Sequence, residues 1–247
     1  LIYLSDRSGT QITRLTENQA FDADIAWAPN GEMIAYKSYA DGNDEIYVVR
    51  RDGSGRRNLT SHPGSDFQPH WSPDGNRIVF GSDRGGTAGI FVLEVGSGQV
   101  EVLLDTPDSE SSPRWSPDGS RMLFVSDRGG ADDIYVADSD GTRIRQLTSS
   151  PDSDWSPRWS PDGTRVLYIS GSFADDRWIL YSVEVDGSTA PIQIVDGVDS
   201  GNPAWHPSED RIYFGRYVEG ESRLFTARSM APTSVPSHRV RTQRPAV

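Results

Sequence analysis

Carboxylates recur along this 247-residue chain at a constant interval of 44, at Asp22, Asp66, Glu110 and Asp154, and Asp199 follows beside Ser200. Side chains of this kind, gathered on one surface, can supply hard oxygen ligands to Ca2+ or another divalent cation. They can also present acceptors to the basic groups of a partner. A second set repeats beside them, the Ser-Asp-Arg segments that contain Asp83, Arg84, Asp127 and Arg128. An acid that recurs in every repeat also has an architectural reading, in which it accepts backbone N–H groups in its own loop or pairs with a nearby Arg84 or Arg128. Positions that differ between repeats are the sharper clues. Phe67 and Trp155 follow their acids directly, where other repeats carry Ala23, Ser111 and Gly201. Two such aromatics can anchor a peptide or a sugar, or pack under a loop.

The catalytic inventory is thin. The chain has no Gly-x-Ser-x-Gly elbow, no His-Glu-x-x-His and no Gly-rich phosphate loop between a strand and a helix. Of the four histidines, His62 falls in a loop and His238 near the end. His70 precedes Trp71 and His206 follows Trp205, so they face opposite sides of their sheets and do not form a pair. Carboxylates are plentiful enough for a two-acid glycosidase site, yet nothing selects a pair. No catalytic residue, metal set or cofactor is assigned, with a divalent cation left open.

What must position these residues is a repeat. Trp27, Trp71, Trp115 and Trp159 stand 44 residues apart and Trp205 follows at 46, within variants of Pro-x-Trp-Ser-Pro-Asp-Gly. Each unit holds four strand signals. A first strand ends at the Trp, as in Gln68 to Ser72, and Pro73-Asp74-Gly75 has the chemistry of a tight turn. A second runs from Arg77 to Ser82, a third resembles Ile134-Tyr135-Val136, and Asp140-Gly141 turns the chain into a fourth that ends Gln146-Leu147-Thr148. No stretch has helical periodicity. A four-stranded antiparallel meander cannot bury both faces alone, so the units must stack radially as propeller blades with each Trp packed into a seam.

The blades read as 17–60, 61–104, 105–148, 149–195 and 196–228, with a partial blade over 1–16 and an irregular basic tail over 229–247 that offers at most one strand, Arg239 to Thr242. Residues Ile2-Tyr3-Leu4 and Leu15-Thr16 align on Ile134-Tyr135-Val136 and Leu147-Thr148, the last two strands of a blade. A competing alignment sets Ser5-Asp6-Arg7 on Ser82-Asp83-Arg84. The count fits a six-bladed ring with part of one blade missing, or five blades completed by the amino-terminal strands. In either case the acids and the Ser-Asp-Arg loops open on one face, around the mouth of a central channel.

Composition sets outer bounds. The formal net charge of −12 opposes nucleic-acid binding, which needs concentrated Lys and Arg. The basic run from His238 to Arg244 reads as a solvated terminus. No cysteine is present and no run of 18 apolar residues exists, which excludes disulfides and a helical membrane span. The start at Leu1, without a signal segment, reads as a processed or truncated piece.

The unit Asp66-x-x-Pro69-x-Trp71-Ser72-Pro73-Asp74-Gly75, then Ser82-Asp83-Arg84-Gly85 and Ile90-Phe91-Val92, resembles the PD40, or WD40-like, repeat of the TolB-like propellers, over residues 1 to about 228. The resemblance implies an all-β, six-bladed propeller and a noncatalytic periplasmic or extracellular scaffold that binds proteins. No separate α/β domain like the one before the TolB propeller is visible. Similar repeats occur in the noncatalytic propellers of prolyl-oligopeptidase-like enzymes and in oligogalacturonate lyases, so a peptidase-associated propeller and a cation-dependent carbohydrate-binding or lyase propeller remain alternatives.

Overall fold

The computed structural model describes residues 1–6, 8–17, 19–172, 174, 177–199 and 201–229. The tail strand expected at Arg239 to Thr242, Ser200 and Arg7 lie outside the described residues. Among them all regular structure is strand. Strands β1 (Tyr3–Ser5) and β2 (Ile12–Arg14) form a two-stranded ladder. Four meanders follow: β3 (Asp22–Trp27), β4 (Met33–Ser38), β5 (Glu45–Arg50) and β6 (Arg57–Asn58); β7 (Asp66–Trp71), β8 (Arg77–Ser82), β9 (Gly89–Glu94) and β10 (Val100–Leu104); β11 (Glu110–Trp115), β12 (Arg121–Ser126), β13 (Asp133–Asp138) and β14 (Arg145–Gln146); β15 (Ser153–Trp159), β16 (Arg165–Ser172), β17 (Arg177–Glu184) and β18 (Ile192–Asp196). A three-stranded sheet of β19 (Ala204–Trp205), β20 (Ile212–Val218) and β21 (Glu221–Ala227) ends the described chain. These are propeller blades. The chain divides into two compact units, Leu1–Phe124 with Ala137–Arg143 and Val125–Val136 with Ile144 onward, a division that falls inside the third meander.

Turn chemistry holds the first two strands of a blade together. In the second blade the Ser72 hydroxyl donates to Asp74 Oδ1 at 2.5 Å and accepts the Arg77 N–H at 2.9 Å. Gly75 takes φ of 73° and donates to the Ser72 carbonyl. A side chain with Cβ would be strained there. The same bonds recur at Ser116 with Asp118 and at Ser160 with Asp162. In the Asp118 turn the Ser116 hydroxyl, then the Ser120 backbone and hydroxyl, lower the carboxyl to about 2.

The outer edge of a blade has its own signature. The N–H of Ile46 donates to Thr60 Oγ1 at 3.0 Å, and the Ile46 carbonyl accepts from Leu59 at 2.8 Å. Ile134 makes the same pair of bonds with Thr148 and Leu147. So does Ile2, with Thr16 at 2.8 Å and Leu15 at 2.9 Å. Strands β1 and β2 therefore carry the bonds of third and fourth strands.

Burial comes from the neighbouring repeat. In the first unit, Trp71 and Ile78 pack on Ala26, Ala28, Ala35 and Val48, and the Trp71 indole N–H donates to the Ala26 carbonyl at 3.2 Å. Arg77 lies over the Trp115 ring at 4.9 Å. In the second unit, the Trp205 indole donates to the Arg158 carbonyl at 3.1 Å. The expectation that every repeat Trp is packed away needs one correction. Trp71 and Trp115 are 4% and 2% exposed, whereas Trp27 is 45% exposed. The surface that would receive it belongs to first and second strands, and the β1–β2 ladder contains neither among the described residues. Trp71→Ala is expected to lower unfolding stability by about 3–5 kcal/mol in a urea titration, and Trp27→Ala by under about 1 kcal/mol.

Candidate functional site

The repeated acid stands at the start of its first strand, or one residue inside it in the fourth blade, and this places the carboxylate opposite a serine near the end of the second strand. Asp22 pairs in register with Ser38, Asp66 with Ser82 and Asp154 with Ser170. The result is burial. Asp66, Glu110 and Asp154 have no exposed surface, and the Asp22 side chain is equally covered. The four carboxyl groups lie within their blades.

Each acid has partners of its own. Arg84 Nη2 sits 2.9 and 2.7 Å from the two oxygens of Asp66, while its Nε donates to Ser82 Oγ at 3.0 Å. The guanidinium also lies over Phe80 and Phe91. Ser38 donates to Asp22 at 2.7 Å, and Thr106 donates to Glu110. Arg128 donates to Ser126 Oγ at 3.0 Å and stacks over Tyr135 at 5.1 Å. Asp199 is half-buried, and accepts from Gly201 N–H at 3.0 Å and Ser222 Oγ at 2.9 Å. Asp83 accepts the Ser65 N–H at 2.7 Å.

The fourth blade breaks the pattern. Where Asp83 and Arg84 follow Ser82, Gly171 and Ser172 follow Ser170, so the loop brings no guanidinium to Asp154. Ser150 Oγ donates to Oδ1 at 3.1 Å, and Oδ2 has no hydrogen-bond partner among the described residues. Burial pushes the Asp154 carboxyl up to about 6; the hydroxyls of Ser170, Thr148 and Ser150 offset this in part, and the charge of Asp133 adds to it. Asp133, which holds Gln146 Nε2 at 2.9 Å, is itself raised by burial. Tyr168 nearby is raised too, by burial and then by Asp154.

The two aromatics singled out by sequence have different surroundings. The Phe67 ring packs against Gly81, where an added Cβ would fall 2.4 Å from Phe67 Cε2. Trp155 is half-buried; its indole N–H donates to Asp132 Oδ2 at 2.8 Å and its ring meets Trp178 at 5.3 Å. Trp178 in turn covers Gly171. Beside this pair the β16–β17 hairpin extends to Ser172↔Arg177, and Arg177 is held to Asp196 at 2.9 Å.

One row of residues escaped the sequence reading. Asp24, Gln68, Ser112 and Ser156 stand three positions before the tryptophans, with φ between 52° and 55°. Asp24, Gln68 and Ser156 lie where the first strand shifts register in its blade, as between Phe67 and His70. In the first unit the Gln68 N–H reaches Asp24 Oδ2 at 3.3 Å and the Ser112 N–H donates to Gln68 Oε1 at 2.8 Å. Arg114 stands on the same strand as Ser112, and burial pulls its guanidinium down to about 10 against the opposing charge of Asp24. A polar residue at this place in every repeat was the available signal. His70 Nδ1 accepts the Trp115 N–H at 3.4 Å from the next blade, and His206 Nδ1 accepts the Glu209 N–H at 3.0 Å, so each histidine is spent on backbone. No group of three or more His, Asp or Glu is placed to hold a metal among the described residues.

Antiparallel four-stranded blades joined by indole seams define a β-propeller. More narrowly, the chain belongs to the TolB beta propeller domain family, whose model matches residues 38–104 and 88–245. Among solved structures it is similar to TolB from Acinetobacter baumannii, at 21% identity and a TM-score of 0.78 over 92% of this chain and 56% of that one. The putative TolB from Agrobacterium tumefaciens matches at 24% identity and a TM-score of 0.67, over 83% of this chain and 73% of that one. An oligogalacturonate lyase in complex with manganese matches at 15% and 0.53, over 91% and 80%. The chain thus spans about half of the Acinetobacter protein. No curated protein matches it.

Two outcomes follow for the acids. Arg84→Met is expected to destabilise the protein by about 3–5 kcal/mol, because it strands a buried carboxylate, and Asp66→Asn in the same chain should restore part of the loss. Asp154 keeps its proton in the folded state up to about pH 6, whereas in the unfolded chain it ionises near 3.8. Its burial is therefore free of charge cost below the unfolded value, and destabilises progressively as pH rises through the folded one. Between pH 4 and 7 wild type should lose on the order of 2–3 kcal/mol relative to Asp154→Asn, read from paired urea curves.

Proposed function

We propose that this protein is a noncatalytic, periplasmic protein-binding propeller, which engages its partner through the blade loops around Trp155, Asp132 and the extended β16–β17 hairpin. What supports the compartment and the mode of action is membership in the TolB propeller family. The observation that carries the choice of surface is the consumption of the repeated acids inside their blades, with Asp66 closed by Arg84. A carboxylate buried and paired in this way is not presented at the surface to a cation or a sugar. The blade-specific groups are what remains at the surface, and Trp155 is held in one orientation by its bond to Asp132. An oriented aromatic with a half-exposed face loses little entropy on binding, which favours it as an anchor.

The test is capture of partners from an envelope extract of the cells that encode the protein, on immobilised wild type and Trp155→Ala. The expected outcome is a discrete protein retained by wild type and reduced by about tenfold or more on the variant, which is compared at a temperature well below its own Tm because Trp155 also packs against Trp178. Equal retention by both would remove Trp155 from the binding face. The lyase reading makes a different demand: Mn2+ should raise Tm, and Asp66→Ala or Asp154→Ala should abolish the rise. Under the binding reading Mn2+ leaves Tm unchanged.

A further inference from the structure

Where the third blade meets the fourth, two acids are buried near one another with no cation between them among the described residues. Asp133 opens β13 and is 3% exposed, and Asp154, near the start of β15, is fully covered. One loop serves both: Thr148 Oγ1 donates to Asp133 Oδ1 at 3.4 Å, and Ser150 Oγ donates to Asp154 Oδ1 at 3.1 Å. The first and second blades meet in the same way. Thr60 donates to Glu45 as Thr148 does to Asp133, and the Asp66 N–H reaches the Asp44 carbonyl at 2.7 Å as the Asp154 N–H reaches that of Asp132 at 2.6 Å. There Arg84 closes on Asp66 and lies over Phe80 and Phe91. In the fourth blade the corresponding rings, Tyr168 and Tyr181, stack at 5.5 Å without a guanidinium over them among the described residues.

Nothing on the surrounding elements offsets a second negative charge. The titratable groups there are Asp132 and Asp133 at β13, Asp152 in the loop, Tyr168 on β16, and Tyr181 and Arg177 on β17. Arg177 is committed to Asp196 at 2.9 Å. Both acids are also tied to the anchor. Asp132 precedes Asp133, Trp155 follows Asp154, and the outer two residues hold one another through the indole N–H at 2.8 Å. With one proton between them, the carboxyl groups carry a single charge. Losing that proton buries a second charge without a counter-ion, and separation of the segments 132–133 and 154–155 relieves it, which draws Asp132 away from Trp155.

We propose that the Asp133–Asp154 pair is a proton switch for Trp155: the binding surface is formed while the pair holds a proton and loosens when both acids ionise. This regulation rests on the reading of Trp155 as the anchor. Burial is the first cause that raises both acids, Asp154 to about 6. The anchored form is therefore complete below the ordinary carboxylate range and is lost as pH rises through about 6.

The test follows the indole N–H resonance of Trp155 in the nitrogen-15-labelled full chain from pH 5 to 8, assigned by its loss in Trp155→Ala. A titration with a midpoint of about 6 is expected. Across it, hydrogen exchange at this indole should accelerate by about tenfold or more relative to the Trp71 indole, which is bonded to Ala26. Asp154→Asn should hold the acid-form shift throughout, and Asp133→Asn should lower the midpoint. Retention of the envelope partner should fall by about tenfold between pH 5.5 and 7.5 on wild type and stay level on Asp154→Asn. An indole that does not titrate, a titration that persists in Asp154→Asn, or level retention on wild type of a partner that Trp155→Ala loses would overturn the switch. If Trp155→Ala keeps the partner, the anchor reading falls, and the indole titration still decides whether the acids move Trp155.

Discussion

A four-stranded meander has two apolar faces and too few residues to fold over either, so its burial has to come from the next repeat. That constraint organises the molecule. It explains why the tryptophan recurs at the end of the first strand, where a large ring can cross the seam, as Trp71 and Trp205 do with their N–H on a carbonyl of the preceding blade. It explains the alanines at positions 26, 28 and 35, which leave room for Trp71. Trp27, the same residue in the same local fold, is 45% exposed where Trp71 is 4% exposed. Local geometry sets where the indole points; the neighbour decides whether it is buried.

The same division of labour applies to the acids. A carboxylate at the start of the first strand is drawn inward by register, opposite a serine of the second strand, and then needs a counter-charge or hydroxyls. Arg84 supplies the first to Asp66, and its stem and guanidinium lie over two core phenylalanines as they do so. Asp154 has hydroxyls and another acid. The difference between an ion-paired brace and a raised carboxyl thus lies in two loop residues, Gly171-Ser172 for Asp83-Arg84, and not in the acid.

Much of this could be read from the chain. The strand order and the turns were legible because Ser-Pro-Asp-Gly encodes its own hydrogen bonds within five residues: Arg77 to Ser82 was placed to the residue. The first strand was set two residues late, since Asp66 and Phe67 look like loop until Ser82 and Gly81 are seen opposite them. Spacing placed the acids at equivalent positions but carried no information on depth, which depends on the serine across the ladder and the arginine beyond it. The left-handed row at Asp24, Gln68, Ser112 and Ser156 was hidden for another reason. Glycine announces positive φ by its type; Asp, Gln and Ser share only short-range hydrogen-bonding ability, and two of these side chains are seen capping the next strand's amide.

That row bears on how a repeat protein can vary its surface without losing its fold. A non-glycine residue in the left-handed region costs about 1–2 kcal/mol. Here the conformation swings backbone N–H groups out of the ladder, and in the first unit the side chain of one blade meets the N–H of the next. The position is therefore held by a bond that Asp and Gln can each supply from different lengths of side chain. The neighbouring positions are released from that duty. His70 and Arg114 occur where Ala26 stands in the first blade, and Phe67 and Trp155 where Ala23 does. Identity in such a protein is written next to the conserved geometry, at sites where the chain direction is already secured and the side chain is free to differ.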